Sequence, residues 1–314
     1  MPAAGYPFDA IRVEGISRTD PVKAARAVVR AAAALGAAGR LLERTGADAV
    51  LGGGGYVAGP VGLAAVRRGI PLVLAEADSH LGLTNRLLAR RARRVCLAFP
   101  IAGRDGDRYR VTGRPVPAIV DDRAAARANL GIAPDATCVL VFGGSLGARS
   151  VNRAAIEGLA GAPYTVLHVS GRRDHAELVP IAESLGERYV LRDYVTPFGL
   201  ALACADVAVA RSGGSVFELA QYGLPAVLVP YPHAAGDHQT GNARWMERAG
   251  AATVIADGEL TPERLRAAVD AIATDPQQRR TMAAAARALA RPDAAAEVAG
   301  EVLDAAAERA LTPR

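Results

Sequence analysis

The stretch LVFGGSLGARSVN, residues 140–152, decides how the chain is to be read. An apolar strand runs into a glycine turn and then into the opening of a helix, the pattern of a loop that wraps its backbone N–H groups around phosphate. Gly143, Gly144 and Gly147 permit a tight turn and close ligand approach, and Ser145 adds a hydroxyl. The helix that follows offers unpaired N–H groups to a diphosphate. On this stretch alone a plainer alternative stands beside it: a strand-to-helix turn whose glycines serve only packing. Such a loop ordinarily follows the first strand of its domain, yet 139 residues precede it here. Another domain is therefore expected ahead of it.

Working outward, short apolar runs alternate with Ala-rich helical stretches on both sides of the loop. Upstream lie ADAVLGGG, a helix from about Pro60, IPLVLAE, a helix from about Thr84 and RVCLAF. A long helix, capped by Asp20 and Pro21 and ending near Gly46, comes before them. Downstream the strand-like runs are ATCVLVFGG, YTVLHVSG, RYVLRDYV, ADVAVARSGG, PAVLVPYP and ATVIADG. This alternation implies parallel strands with helical crossovers. Around VTGRPVPAIV the periodicity stops and three prolines fall close together, which reads as an interdomain linker. Two α/β units of 1–115 and 116–290 follow, with a C-terminal helix over 291–314 packing back toward the first. A cleft is expected between the carboxyl ends of the two sheets.

With 314 residues, 51% hydrophobic and 22% charged, the chain reads as a globular α/β protein rather than a disordered chain or a membrane channel. A net charge of +5 favours anionic partners. Cys96, Cys138 and Cys204 are scattered without the spacing of a zinc site or redox disulfide, which fits a reducing cytoplasm. No leader pattern or membrane-length apolar run is seen. His233 and His238 lack a carboxylate at ligand spacing, so neither metal nor cofactor is expected. His168, ending an apolar strand, reads as structural. Nucleic acid is a poor partner for a chain with 4% aromatic residues and no nucleic-acid motif.

The segment ARSGGSVFELAQYGLPAVLVPYPHAAGDHQTGNARWM, residues 210–246, is more specific than the first loop. Gly214 and Ser215 open a second helix from a Gly-Gly turn, and Glu218 stands about one turn inside it. A carboxylate there has paired acceptors for both hydroxyls of a ribose. His238, Gln239 and Asn242 follow where another helix begins, suitably placed to bond a sugar's hydroxyls. A surface helix with incidental polar residues is the alternative.

These stretches, with GGGGYVAGPVGLAAVRRGIPLVLAE and GLTNRLLARRARRV in the first half, resemble the MurG family, the N-acetylglucosaminyltransferases that convert lipid I to lipid II in peptidoglycan synthesis. The likeness covers most of the chain, in family order. It implies the GT-B fold of two Rossmann-like domains, with the donor site in the second and a last helix crossing back to the first. By motif it gives Gly143, Gly144, Ser145 and the Gly214–Ser215 turn to the UDP diphosphate and Glu218 to the ribose. Tyr194 and Val195 would flank the uracil, with Gln239, His238 and Asn242 on the N-acetylglucosamine. Gly54, Gly55, Tyr56, Glu76, Asp78, Thr84 and Asn85 would face the lipid-linked acceptor.

Departures from the family pattern accompany the likeness. The family's His-Glu-Gln-Asn segment stands here as Ala75-Glu76-Ala77-Asp78, and its Asn-Pro-Val-Arg as RPVP, which leaves Arg114 near the place of a donor-contacting arginine. Family members open with a strand, a glycine-rich loop ending in the histidine taken as general base, a helix and a second strand. This sequence aligns from the region after those elements, so its sheet is expected to expose an edge and its base is unassigned, with Glu76 a weak stand-in. The resemblance implies inverting transfer from UDP-N-acetylglucosamine to the 4-hydroxyl of N-acetylmuramic acid in lipid I. The alternatives are a UDP-sugar-binding fragment without activity and, fitting less well, a UDP-N-acetylglucosamine epimerase of the same fold.

The acceptor's polyprenyl tail implies a cytoplasmic enzyme, peripheral on the inner face of the membrane. Arg86, Arg90, Arg91, Arg93 and Arg94, interleaved with leucines and free of acids, read as a basic amphipathic segment against anionic lipid. A solvated charged helix face is the other reading of the same run.

Overall fold

The structure is a computed structural model that describes residues 5–11, 21–144 and 147–311, with side chains outside that description at 21–29, 31–32 and 235. The chain divides into two compact units, Met1–Pro115 with Asp293–Arg314, and Val116–Pro292.

In the first unit, α1 (Pro21–Thr45) leads through Gly46 to β1 (Val50–Gly52), α2 (Gly55–Arg67), β2 (Leu72–Glu76), α3 (Leu83–Leu88), β3 (Arg94–Leu97) and β4 (Tyr109–Val111). The strands pair in parallel in the order β1-β2-β3-β4. Leu72, Leu74, Val95 and Leu97 are fully buried and form a core with Ala64, Ala65 and Leu88 from the helices. One expectation needs correction. The helix expected from Pro60 begins at Gly55, because Gly54 (φ 80°) and Gly55 (φ 73°) make the turn themselves and leave Pro60 inside the first turns. Tyr109–Val111 forms a fourth strand that the sequence reading did not name, and it ends where the expected linker begins.

In the second unit, α4 (Arg123–Leu130) precedes β5 (Cys138–Phe142), α5 (Arg149–Gly158), β6 (Thr165–Val169), α6 (His175–Ser184), β7 (Tyr189–Arg192) and α7 (Gly199–Cys204). Then come β8 (Val207–Ala210), α8 (Ser215–Tyr222), β9 (Ala226–Leu228), α9 (His238–Arg248), β10 (Ala252–Val254), α10 (Pro262–Ala273) and α11 (Pro276–Ala288). Six parallel strands run β10-β9-β8-β5-β6-β7. Every residue of β5, β6 and β8 is buried, as expected of central strands covered on both faces. The order reverses at β5, whose neighbours are β6 and β8. At such a reversal the loops leaving adjacent strands diverge and open a crevice at their carboxyl ends.

The last helix, α12 (Ala294–Leu311), belongs to the first unit and lies against β2 and β3. Its Glu301 is buried and bridges Arg94 (2.8 Å) and Arg110 (3.0 Å), while Glu308 pairs with Arg93. Glu301 ionises below the usual carboxylate range: burial pushes it upward, but the hydrogen bonds from Arg94 and Arg110 outweigh that.

Candidate functional site

The crevice at the β5/β8 reversal is a cavity of about 350 Å³ within the second unit. Its phosphate-sized end is backbone. Gly144 and Gly147 take positive φ, and the N–H of Gly147 donates to the carbonyl of Gly144 at 2.9 Å, closing a turn before α5. A Cβ on Gly143 would lie 2.4 Å from that of Ala148, so this position admits only glycine. The helix starts at Arg149 rather than at Ser145; Ser145 itself lies outside the described residues. Across the crevice, Gly213, Gly214 and Ser215 open α8, whose first N–H groups have no side-chain cap. The Gly143–Gly144 and Gly213–Ser215 turns thus line the same space, each leading into a helix without a side-chain cap.

The opposite end is apolar. Phe142, Val169, Tyr194 and Phe198 form a wall, with the Phe142 and Phe198 rings 5.0 Å apart and Arg172 stacked 5.3 Å over Tyr194. Glu218 lines the cavity from the fourth position of α8, and Gln239 lines it from the start of α9. The Gln239 amide is oriented: the Tyr231 N–H donates to its Oε1 at 3.0 Å, leaving Nε2 beside Gly213. Asp237, just before α9, holds a left-handed φ of 55°, a strained backbone at the point where the loop delivers Gln239.

The cavity therefore gathers Gly143, Gly144, Tyr194, Gly214, Ser215, Glu218 and Gln239. Four expected donor contacts are not among its walls. Asn242 is fully buried and donates from Nδ2 to the Ser212 carbonyl at 3.0 Å, because it falls on the inward stripe of α9 with Ala243 and Met246. Val195 is buried, His238 is half-buried outside the lining, and Arg114 lies after β4 in the first unit. Arg211 was missed from sequence although it stands only two residues before Gly213. It lines the cavity, pairs with Asp257 (2.6 Å) and donates to Ser150 Oγ and to the carbonyls of Val229 and Pro230. Its charge is thereby spent on holding three loops together.

In the first unit the residues expected on the acceptor side gather at the carboxyl ends of β1 and β2. Thr84 Oγ1 donates to the Gly55 carbonyl at 2.9 Å, and Asn85 Nδ2 donates to the Ala75 carbonyl and to Glu76. The buried Glu76 carboxylate accepts from Gly82 N (2.8 Å), Asn85 Nδ2 (2.9 Å) and Asp78 N (3.3 Å). With these donors on its oxygens it ties down the loop after β2. The same loop carries His80, half-buried and the sole histidine of 1–115, which sequence reasoning passed over.

Tyr56, Val57, Leu83 and Leu87 are exposed on α2 and α3, with Arg86, Arg90 and Arg91 exposed beside them. Arg93 and Arg94 are not part of this run. The chain turns from helix into β3 there, and both pair with acids of α12. No described helix is long and apolar enough to cross a membrane, and no group of metal-ligating residues occurs among the described residues.

Comparison with known proteins agrees with this architecture. The glycosyltransferase family 28 N-terminal domain matches residues 1–97 and the family's C-terminal domain matches 138–298. The UDP-N-acetylglucosamine--N-acetylmuramyl-(pentapeptide) pyrophosphoryl-undecaprenol N-acetylglucosamine transferase of Moorella thermoacetica is 41% identical over 310 residues, 94% of this chain and 84% of that protein. The crystal structure of Acinetobacter baumannii MurG superposes with a TM-score of 0.73 at 30% identity, over 95% of this chain and 84% of that one. A UDP-GlcNAc 2-epimerase from Neisseria meningitidis shares only the fold, at 14% identity and a TM-score of 0.62 over 88% of this chain and 81% of that one. Two parallel-sheet α/β domains with these relatives make the GT-B class, and the chain belongs to glycosyltransferase family 28, in its MurG branch.

Proposed function

We propose that the protein transfers N-acetylglucosamine from UDP-N-acetylglucosamine to the 4-hydroxyl of the N-acetylmuramic acid of lipid I, forming lipid II. The observation that carries this reading is the β5/β8 crevice: a wall of Phe142, Val169, Tyr194 and Phe198, the Gly143–Gly144 and Gly213–Ser215 turns lining one space, and Glu218 one turn inside α8. Uracil packs against Tyr194 and Phe198, and Glu218 accepts the ribose hydroxyls. The diphosphate lies between the Gly143–Gly147 turn and the start of α8. The Gln239 amide donates to the sugar.

Departure of UDP places growing negative charge on the diphosphate, and preorganised backbone N–H groups lower that barrier. The attacking hydroxyl must also lose its proton. His80 is the base in this reading, since it is the sole histidine of 1–115 and its loop carries the acceptor-side residues. The acceptor is held by the Gly54–Tyr56 turn with Asp78 and Thr84. Its lipid tail brings the enzyme to the inner face of the membrane, where Leu83, Leu87, Tyr56 and Val57 enter the interface and Arg86, Arg90 and Arg91 meet anionic headgroups. Each such arginine contributes about 1 kcal/mol near an anionic surface.

Acceptor-dependent UDP release tests the reading. Mixing the chain with UDP-N-acetylglucosamine and a short-chain lipid I analogue is expected to release UDP only when both are present. Conversion of the donor to its 2-epimer without acceptor would instead identify an epimerase, and donor binding with no release would identify an inactive fragment.

A further inference from the structure

We infer that Asn152 and His168 are a positioning pair for the donor diphosphate: they set the seat of the Gly143–Gly147 turn and so govern donor affinity without touching the donor. This rests on the diphosphate assignment proposed above. The starting point is the closeness of Gly147 to the end of β6. A Cβ at Gly147 would come 2.2 Å from the Ser170 carbonyl oxygen and 3.3 Å from Asn152 Nδ2. The turn therefore rests directly on that carbonyl, and whatever fixes the carbonyl fixes the turn.

Asn152, one turn inside α5, holds it. Its Nδ2 donates to the Ser170 carbonyl at 2.9 Å and to Asp174 Oδ2 at 3.0 Å. A flipped amide would point its oxygen at a carbonyl and a carboxylate, so the orientation follows from chemistry. The Oδ1 must then accept, and its partner is His168 Nε2 at 3.1 Å. The proton of the neutral imidazole is consequently on Nε2, and Nδ1 accepts from the Tyr189 hydroxyl at 2.8 Å. Each polar atom of this chain has one consistent role.

The chain lies in the core: His168 and Ser170 are 0% exposed, Asn152 1% and Asp174 2%. Burial, with a smaller effect from His175, pushes the imidazole down to about 3, so it stays neutral under all working conditions. Asp174 is held below the usual carboxylate range chiefly by its hydrogen bond from Arg173, with Asn152 and Arg149 adding to it. Arg149 is the first residue of α5, so the network grips that helix at its start as well as at Asn152. Apolar side chains would fill this volume at less desolvation cost, but would leave the carbonyl under the turn without its donor.

Ser170 extends the network to the nucleobase end. Its N–H donates to the Arg192 carbonyl at 3.0 Å and its Oγ to the same carbonyl at 3.2 Å, two residues before Tyr194. One residue thus fixes the diphosphate turn by its carbonyl and the approach to Tyr194 by its donors. The separation of the two donor-binding ends is set through Ser170, and Ser170 is set through Asn152 and His168.

The test uses the full chain, with UDP affinity measured by calorimetry and steady-state kinetics with the lipid I analogue. Asn152→Ala is expected to weaken UDP binding and raise the donor KM about tenfold, with the acceptor KM and kcat little changed. His168→Gln keeps an N–H near the place of Nε2 and is expected to retain UDP affinity, whereas His168→Leu loses it as Asn152→Ala does. If Asn152→Ala does not fold, the His168 pair carries the test alone. UDP affinity and donor KM unchanged in a folded Asn152→Ala or His168→Leu, beside a wild type that binds UDP, overturn the inference and spare the donor assignment. A wild type that binds no UDP overturns both.

Discussion

The backbone N–H of Tyr231 donates to Oε1 of Gln239 at 3.0 Å, which leaves the amide nitrogen as the end of Gln239 that faces the crevice. Gln239→Glu keeps an acceptor for Tyr231 but turns the donor into an anionic oxygen beside the diphosphate. The expected result is a rise in donor KM of at least about tenfold, larger than for Gln239→Ala, because like charge adds to the lost hydrogen bond. Steady-state kinetics of the two variants check the order; Gln239→Ala as the worse variant would contradict the orientation.

Glu218 accepts ribose hydroxyls in this account, so its loss should be felt through the 2′-hydroxyl. Glu218→Ala is expected to weaken UDP binding by about 1.5–3 kcal/mol, as for a hydrogen bond to a charged group. It should also abolish the preference of the wild type for UDP over 2′-deoxy-UDP. Competition calorimetry with both nucleotides measures this, and a preference that survives the substitution would remove Glu218 from the ribose.

His80 as proton acceptor separates chemistry from donor binding. His80→Ala is expected to lower kcat by about 10²–10⁴, with UDP affinity unchanged and part of the rate restored by added imidazole. Near-normal turnover in this variant would send the search for the base elsewhere.

Leu83 and Leu87 lie exposed on α3 beside Arg86, with Arg90 and Arg91 just beyond the helix. Replacing both by Glu is expected to abolish cosedimentation with vesicles containing anionic lipid while leaving UDP binding intact. Undiminished cosedimentation would show that the lipid contact lies on another face.

Stability should depend on pH through His168. Its folded value lies near 3 against an ordinary 6.5, so between those limits the unfolded chain binds a proton that the folded chain does not. Stability is complete above the ordinary value and is lost as pH falls, by up to about 1.4 kcal/mol per pH unit for this one group. Glu301, held low in the fold, adds a loss in the same direction as pH falls below the ordinary carboxylate range. Urea unfolding of wild type and His168→Gln between about pH 7.5 and pH 5 checks the larger effect. The stability gap between them should narrow toward acid, and parallel curves would contradict it.

The parts legible in the sequence were those carried by backbone requirements. The Gly-Gly turns, the position of Glu218 one turn into α8 and the alternation of strands and helices each leave a local signature, and the second unit follows them closely. Direction within an element was harder to read. Asn242 has the residue type of a sugar ligand, but its spacing of four from Met246 puts it on the buried stripe of α9. Arg93 and Arg94 looked continuous with Arg86, Arg90 and Arg91 because composition does not reveal that helix gives way to strand between them. Their partners, Glu308 and Glu301, stand more than two hundred residues away in sequence. The Asn152–His168 chain was hidden for a related reason: its members come from α5, β6 and β7 and meet only through the register of the sheet.

The most direct measurement of the central claim follows the sugar itself. Radiolabelled UDP-N-acetylglucosamine is incubated with the purified chain and lipid I in detergent, and the lipid-extractable label is counted and its disaccharide linkage established. Label in a lipid carrying β-1,4-linked N-acetylglucosamine on N-acetylmuramic acid is the predicted result. A folded protein that binds UDP yet leaves all label in the aqueous phase, as donor or as its epimer, would contradict the account.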